Sequence, residues 1–224
     1  MTSRSTSTSD TTAKSTFVVK YMNLMGRAAI VRVLLHLSGQ EYTNEFIALD
    51  SVAKDRTLYP FGHVPVLIET LPDGSTFELG ETLAIEQYLA EKFGLLGTTP
   101  QQAATRRSVA LNIYLELYTP CFNSTTPIQQ LIADPTSEFM SKTLPQFIAT
   151  HERWLIKNGN NGYYFGDKLS YPDLVLLNWI RVLEGMGVKF EEDGPFKKLE
   201  KTIKGLDAWR GQYDAYHPFS MIEP

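Results

Sequence analysis

Strand-like and helix-like segments alternate along the first part of this chain, and at Gly97-Thr-Thr-Pro100 the alternation stops. Beyond that point each patterned stretch has helical spacing. A chain with such a switch folds as two unlike units, one α/β and one all-helical, and its 224 residues suit two small domains.

In the first unit, Phe17, Val18, Val19 and Tyr21 make a β-branched and aromatic strand over 16–22. Gly26 interrupts it. The stretch Arg27–Ser38 then predicts a helix with Ile30, Val31, Leu34 and Leu37 on one side and Gly39 as its terminator. A second strand over Glu41–Leu49 completes a β-α-β unit, whose parallel strands cross over right-handed. Lys54–Phe61 is polar and rich in turn residues, and it leads into a strand over His63–Glu69. Pro65 lies near the start of that strand, where its missing N–H costs no central ladder bond. Pro72-Asp73-Gly74-Ser75 is a turn into a fourth strand over Thr76–Leu79. Leu83, Ile85, Tyr88 and Leu89 recur at helical spacing over Glu81–Phe93, which ends at Gly94. The order is β-α-β, then β-β-α. In the second unit, helices are expected over 101–119, 138–156, 170–184 and 195–213.

Composition removes several classes. With 43% hydrophobic and 21% charged residues, both units can bury a core, unlike a disordered or collagen-like chain. Twenty-one Lys and Arg against twenty-five Asp and Glu leave a net charge of −4, so nucleic acid is not an expected partner. The single cysteine, Cys121, forms no internal disulfide, no CxxC pair and no zinc site alone, and a reducing compartment suits it. The four histidines have no metal spacing, so no metal is expected. The apolar run Leu174–Ile180 falls far short of the roughly 20 residues that span a bilayer, so no membrane partner is expected either. Eleven of the first sixteen residues are Ser or Thr, fitting neither a secretory signal nor a folded element. Residues 1–15 are read as a disordered tail.

Four local sequences, Tyr21–Ala28, Phe61–Leu67, Glu81–Leu89 and Ser170–Asp173 in that order along the chain, resemble those of the cytosolic glutathione transferases. Tyr21-Met-Asn-Leu-Met-Gly26-Arg27-Ala is similar to the first strand and loop of the tyrosine-type members, nearest their sigma-like branch. Phe61-Gly-His-Val-Pro65-Val-Leu resembles their proline loop, and Glu81-Thr82-Leu-Ala-Ile-Glu-Gln-Tyr-Leu the start of their γ-glutamyl-binding helix. Ser170-Tyr-Pro-Asp173 resembles a capping box in their helical domain and is read as structural. The resemblance implies a thioredoxin-like domain over 16–97 that binds glutathione. It also implies a helical bundle domain over 98–224 that carries the second-substrate pocket.

Glutathione brings two carboxylates, an ammonium and a thiol whose ordinary pKa of about 8.5 leaves it mostly protonated at neutral pH. A phenol that donates a hydrogen bond to the sulfur stabilises the thiolate, and a helix N-terminus adds positive potential. By resemblance Tyr21 is that phenol, and Arg27 keeps its surroundings electropositive. The plainer alternatives are a tyrosine that only packs and a solvated surface arginine. Val64, ahead of a cis Pro65, would offer main-chain groups to the cysteinyl residue in strand fashion. Pro65 also reads as an ordinary edge-strand proline. Glu81 suits the γ-glutamyl ammonium, while Thr82 offers a hydroxyl and an N–H to the adjacent carboxylate. Both also serve as plain helix capping. Arg56, His63 and Lys54 are candidates for the glycyl carboxylate. His63 stands where a lysine is commoner and would be the weaker ligand.

The second-substrate pocket draws its candidates from Met22, Leu24, Met25, Tyr114, Tyr118 and Cys121, with Phe219 and Met221 near the C-terminus; each reads equally well as core. The expected activity is conjugation of the glutathione thiolate to a small apolar electrophile, in the manner of a detoxification enzyme. The alternatives are a glutathione-dependent double-bond isomerase and a non-catalytic binding or scaffold protein. The resemblance further implies a cytoplasmic homodimer.

Overall fold

The computed structural model describes residues 14–118, 120–121 and 125–209. Nearly all of the Ser/Thr-rich tail, Phe219, Met221 and the end of the helix expected over 195–213 lie outside the described residues.

Strand β1 (Thr16–Tyr21) occupies the middle of a four-stranded sheet. Its burial alternates with a period of two, placing Phe17, Val19 and Tyr21 in the core. A short 3-10 turn over Gly26–Ala28 leads into α1 (Ala29–Leu37), and β2 (Tyr42–Phe46) returns parallel to β1 with Phe17 opposite Tyr42 and Tyr21 opposite Phe46. After α2 (Leu49–Lys54), β3 (Val66–Thr70) runs antiparallel to β1, and β4 (Thr76–Gly80) antiparallel to β3. The strand order is β2-β1-β3-β4. Helix α3 (Thr82–Lys92) closes this unit.

Two expectations change here. The second strand stops at Phe46, because Leu49–Lys54 forms α2, and the unit is therefore β-α-β-α-β-β-α. Six residues are fewer than two helical turns, too few for a 3.6-residue period to register against the polar stretch that follows. The third strand begins three residues later than expected, after Pro65.

The described remainder is helical: α4 (Pro100–Tyr118), α5 (Ile128–Ala133), α6 (Leu144–Lys157), α7 (Tyr171–Gly185) and α8 (Pro195–Lys204). A π-helical turn over Phe139–Thr143 precedes α6. Pro145, which has no N–H for the carbonyl four residues back, lies at the junction. Helix α8 ends at Lys204, short of the expected span, with Gly205 as its cap. Ser170 and Asp173 cap α7: one Asp173 oxygen accepts from the Ser170 N–H at 2.7 Å and hydroxyl at 2.6 Å, and the other from the Tyr164 N–H at 2.7 Å. Among the described residues no helix is long and apolar enough to cross a membrane.

The two units share one core. The Tyr171 N–H donates to the Leu95 carbonyl at 3.1 Å, and the Tyr171 hydroxyl reaches Glu86 on α3 at 2.7 Å.

Candidate active site

Where the α/β unit meets α4 and α7 there is a cavity of about 590 Å³. Tyr21, Leu24, Arg27, Glu81 and Thr82 line one side of it, and Leu111, Tyr114, Leu115, Tyr118 and Trp179 the other. Tyr21 reaches it because it lies an even number of steps along the strand from Phe17 and Val19 and so keeps their facing at the last residue. The chain then turns at Gly26 with a φ of +42°, so that the Arg27 N–H donates to the Tyr21 hydroxyl at 3.1 Å. A β-carbon at Gly26 would lie 2.8 Å from that hydroxyl oxygen and 2.5 Å from Leu24 Cδ1. Glycine is required by both geometry and space.

Arg27 meets Tyr21 through its main chain. Its guanidinium instead lies 5.1 Å from the centre of the Tyr118 ring, across the cavity. The buried guanidinium behind Tyr21 belongs to Arg32, 5.7 Å from its ring centre. Arg32 Nε donates to Asn44 Oδ1 at 2.8 Å, and Nη1 donates to the Leu24 and Met25 carbonyls at 2.8 and 3.3 Å. It thereby ties α1 to β2 and to the loop after β1. The sequence signal for it was a basic residue inside the apolar run Ala28–Leu35.

The Val64–Pro65 peptide is cis. Arg56 and His63 come together, Arg56 Nη2 lying 2.8 Å from His63 Nε2, with Arg56 Nε donating to the Gly62 carbonyl at 3.3 Å. A guanidinium only donates, so this nitrogen of His63 accepts and the proton is assigned to Nδ1. Lys54 pairs instead with Asp50 on α2. Glu81, just ahead of α3, has a φ of +70°, one of two described non-glycine residues in that region. Such a backbone costs on the order of 1–3 kcal/mol and marks a position held by its surroundings.

Of the pocket candidates, Leu24, Tyr114 and Tyr118 line the cavity. Met22, Met25 and Cys121 do not: Met25 and Cys121 are buried, and Met22 packs against the core. Burial pushes the Cys121 thiol up to about 12, which keeps it protonated. The wall contributed by α4 is a stripe, Leu111, Tyr114, Leu115 and Tyr118, at i, i+3, i+4 and i+7. Its spacing was legible; its facing was not, because Val109, Ala110, Ile113 and Leu117 make a second, buried apolar face on the same helix.

Glu86 was also missed. It is buried in α3 and lines the cavity, with both carboxyl oxygens accepting from the Tyr114 hydroxyl at 2.8 and 2.9 Å and one also from the Tyr171 hydroxyl at 2.7 Å. Burial pushes its pKa up to about 8, outweighing the two phenols that favour the charged form. Among the described residues no group of His, Cys, Asp and Glu could hold a metal ion.

Residues 117–209 match the glutathione S-transferase C-terminal domain family. The chain is 24% identical over 192 residues to Glutathione S-transferase 3 of Caenorhabditis elegans, covering 84% of this chain and 90% of the worm protein. Its backbone is similar to the Nu-class GST of Haemonchus contortus, with a TM-score of 0.74 at 24% identity over 92% of this chain and 98% of that one. It is also similar to the sigma class GST of Fasciola hepatica, with a TM-score of 0.70 at 24% identity over 84% and 90% of the two chains. A thioredoxin-like domain followed by a helical domain is the architecture of a glutathione transferase. Over most of its length the chain is similar to glutathione S-transferases, and its residues 117–209 match the C-terminal domain of that family.

Proposed function

We propose that this protein conjugates the glutathione thiolate to a small apolar electrophile, with Tyr21 as the residue that stabilises the thiolate. The observation that carries this reading is the Tyr21 hydroxyl at the cavity wall, whose oxygen accepts the Arg27 N–H. A phenol oxygen so occupied directs its own O–H outward, and the donor is strengthened by the polarisation. The buried Arg32 guanidinium, 5.7 Å from the centre of the Tyr21 ring, adds positive charge behind the phenol that favours an anionic sulfur in front of it.

In this reading Glu81 takes the γ-glutamyl ammonium, and Thr82 takes the neighbouring carboxylate at the N-terminus of α3. The main chain of Val64 pairs with the cysteinyl residue. Arg56 supplies charge to the glycyl carboxylate, and His63, with Nε2 engaged by Arg56, offers its Nδ1–H. The apolar wall of Leu24, Leu111, Leu115 and Trp179 suits a small hydrophobic acceptor. Leu58 and Phe61, 65% and 64% exposed close to the proline loop, favour a second copy of the chain as partner. The single buried cysteine suits the cytoplasm.

Titration calorimetry with glutathione, followed by conjugation of 1-chloro-2,4-dinitrobenzene, tests the activity. Binding in the micromolar to millimolar range and a stable conjugate are expected. No binding would leave a scaffold of the same fold. Sedimentation at micromolar concentration tests the dimer.

A further inference from the structure

Glu86 stands in the cavity wall as a buried carboxyl, and among the described residues no cation pairs with it. Its partners only donate to it: the Tyr114 hydroxyl reaches both carboxyl oxygens, at 2.8 and 2.9 Å, and the Tyr171 hydroxyl reaches Oε2 at 2.7 Å. Donors aimed at a carboxyl stabilise its charged form. A carboxylate has about four lone-pair positions. These bonds use both on Oε2 and one on Oε1, so a position on Oε1 is left for a further donor. A hydrophobic side chain would fill the same volume without the cost of desolvating a carboxyl.

Beside this anion lies an aromatic corner. Tyr114 and Trp179 meet edge to face, ring centres 6.2 Å apart at 81°, and both line the cavity. The face of an aromatic ring attracts a cation through its quadrupole. One ring of the same wall already does so, the Arg27 guanidinium lying 5.1 Å from the centre of Tyr118. An aromatic corner next to a carboxyl with no counter-ion is the chemistry that recognises an alkylated ammonium.

We propose that Glu86, with Tyr114 and Trp179, forms a subsite for an organic cation, and that the second substrate is an apolar molecule carrying an ammonium group. This deepens the transferase reading above and rests on it for the role of the cavity as acceptor site. Glu86 is the binding residue, and Tyr171 is the positioning residue that fixes its Oε2. The titratable and charged groups around Glu86 are Tyr114 from α4, Tyr171 from α7 and, lining the same cavity, Tyr21, Arg27, Glu81 and Tyr118. Arg27 and Glu81 are opposite in charge, so an ionised Glu86 leaves the lining negative. Burial pushes the Glu86 pKa up to about 8, and a cation held beside it favours the charged form, so binding below that pH releases a proton. Affinity for the cation therefore increases with pH and levels off above about pH 8.

Equilibrium dialysis with phenyltrimethylammonium and with tert-butylbenzene, which has the same shape and no charge, tests the subsite. Neither ligand titrates, so a pH dependence belongs to the protein. At pH 8 the wild type is expected to hold the cation roughly tenfold more tightly than the hydrocarbon, the scale of a desolvated cation over an aromatic face. That ratio is expected to drop by more than about tenfold on going down to pH 6, since one proton must leave for each cation bound. In Glu86→Gln the preference is expected to vanish and the ratio to be flat with pH. If this variant does not fold, the wild-type ratio decides alone. A hydrocarbon held as tightly as the cation at pH 8, a flat ratio in the wild type, or a preference retained in Glu86→Gln overturns the proposal. Competition between the cation and 1-chloro-2,4-dinitrobenzene in the conjugation assay is expected as well; binding without competition overturns the placement of the ammonium in the acceptor site. A wild type that binds the cation through Glu86 but conjugates no chlorodinitrobenzene supports the subsite and overturns the transferase reading itself.

Discussion

Gly26 stands directly against the Tyr21 hydroxyl, so close that a β-carbon at residue 26 would lie 2.8 Å from the phenol oxygen. Its left-handed φ adds a second constraint, about 1–2 kcal/mol for any other common residue. Gly26→Ala is therefore expected to lower thermal stability modestly and turnover by more than tenfold, roughly the cost of displacing one oriented donor. Melting curves and steady-state kinetics on the same preparation check this; normal turnover would mean that the hydroxyl position does not matter.

Tyr21→Phe keeps the ring in the core and removes the hydroxyl proposed to donate to the glutathione sulfur, along with the acceptor of the Arg27 N–H. Turnover is expected to fall by roughly 10²-fold, and the thiol of bound glutathione to titrate at higher pH than in the wild type. Thiolate absorbance across pH measures the second effect. An identical titration curve in the variant would remove Tyr21 from the mechanism.

Arg32 joins the loop after β1 to Asn44 on β2 through its buried guanidinium. Arg32→Met leaves the Leu24 carbonyl without this donor and is expected to cost about 3 kcal/mol of stability, along with activity. Arg32→Lys restores the charge but not the fork, so partial recovery is expected. Urea denaturation of the three proteins supplies the comparison, and equal midpoints would show that the loop is held by other contacts.

Much of the architecture was legible because it is local. Period-two burial in β1, the turn at Pro72–Ser75 and the capping pair Ser170 and Asp173 are written in adjacent residues. Leu24, Tyr114, Tyr118, Glu81 and Thr82, candidates from the sequence alone, all line one cavity. Arg32 and Glu86 were not, because a charged residue inside an apolar helix reads as its solvated side until its partners are known. Those partners are distant in sequence: Asn44 lies 12 residues from Arg32, and Tyr171 lies 85 from Glu86. Helix α2 escaped for the opposite reason, being too short to have a period.

The burial of Glu86 has a signed effect on stability. Its folded pKa is raised from 4.5 to about 8, so below about pH 4.5 the folded and unfolded chains both hold the proton. As pH rises above that, the unfolded chain releases its proton while the folded one keeps it, and stability declines until about pH 8. The decline is on the order of a few kcal/mol. Glu86→Gln should lack it. Denaturation at pH 5.5 and 8 gives the answer, and a stability difference between the two proteins that is the same at both would refute it.

Tyr171 fastens the helical unit to the α/β unit twice, by its N–H to Leu95 and by its hydroxyl to Glu86. With both fasteners buried beside the cavity, the two walls cannot swing apart like a jaw without breaking into the hydrophobic interior. The cavity is therefore a slot between two walls joined through the interior, and Leu111 and Leu115 of α4 stand exposed on its wall.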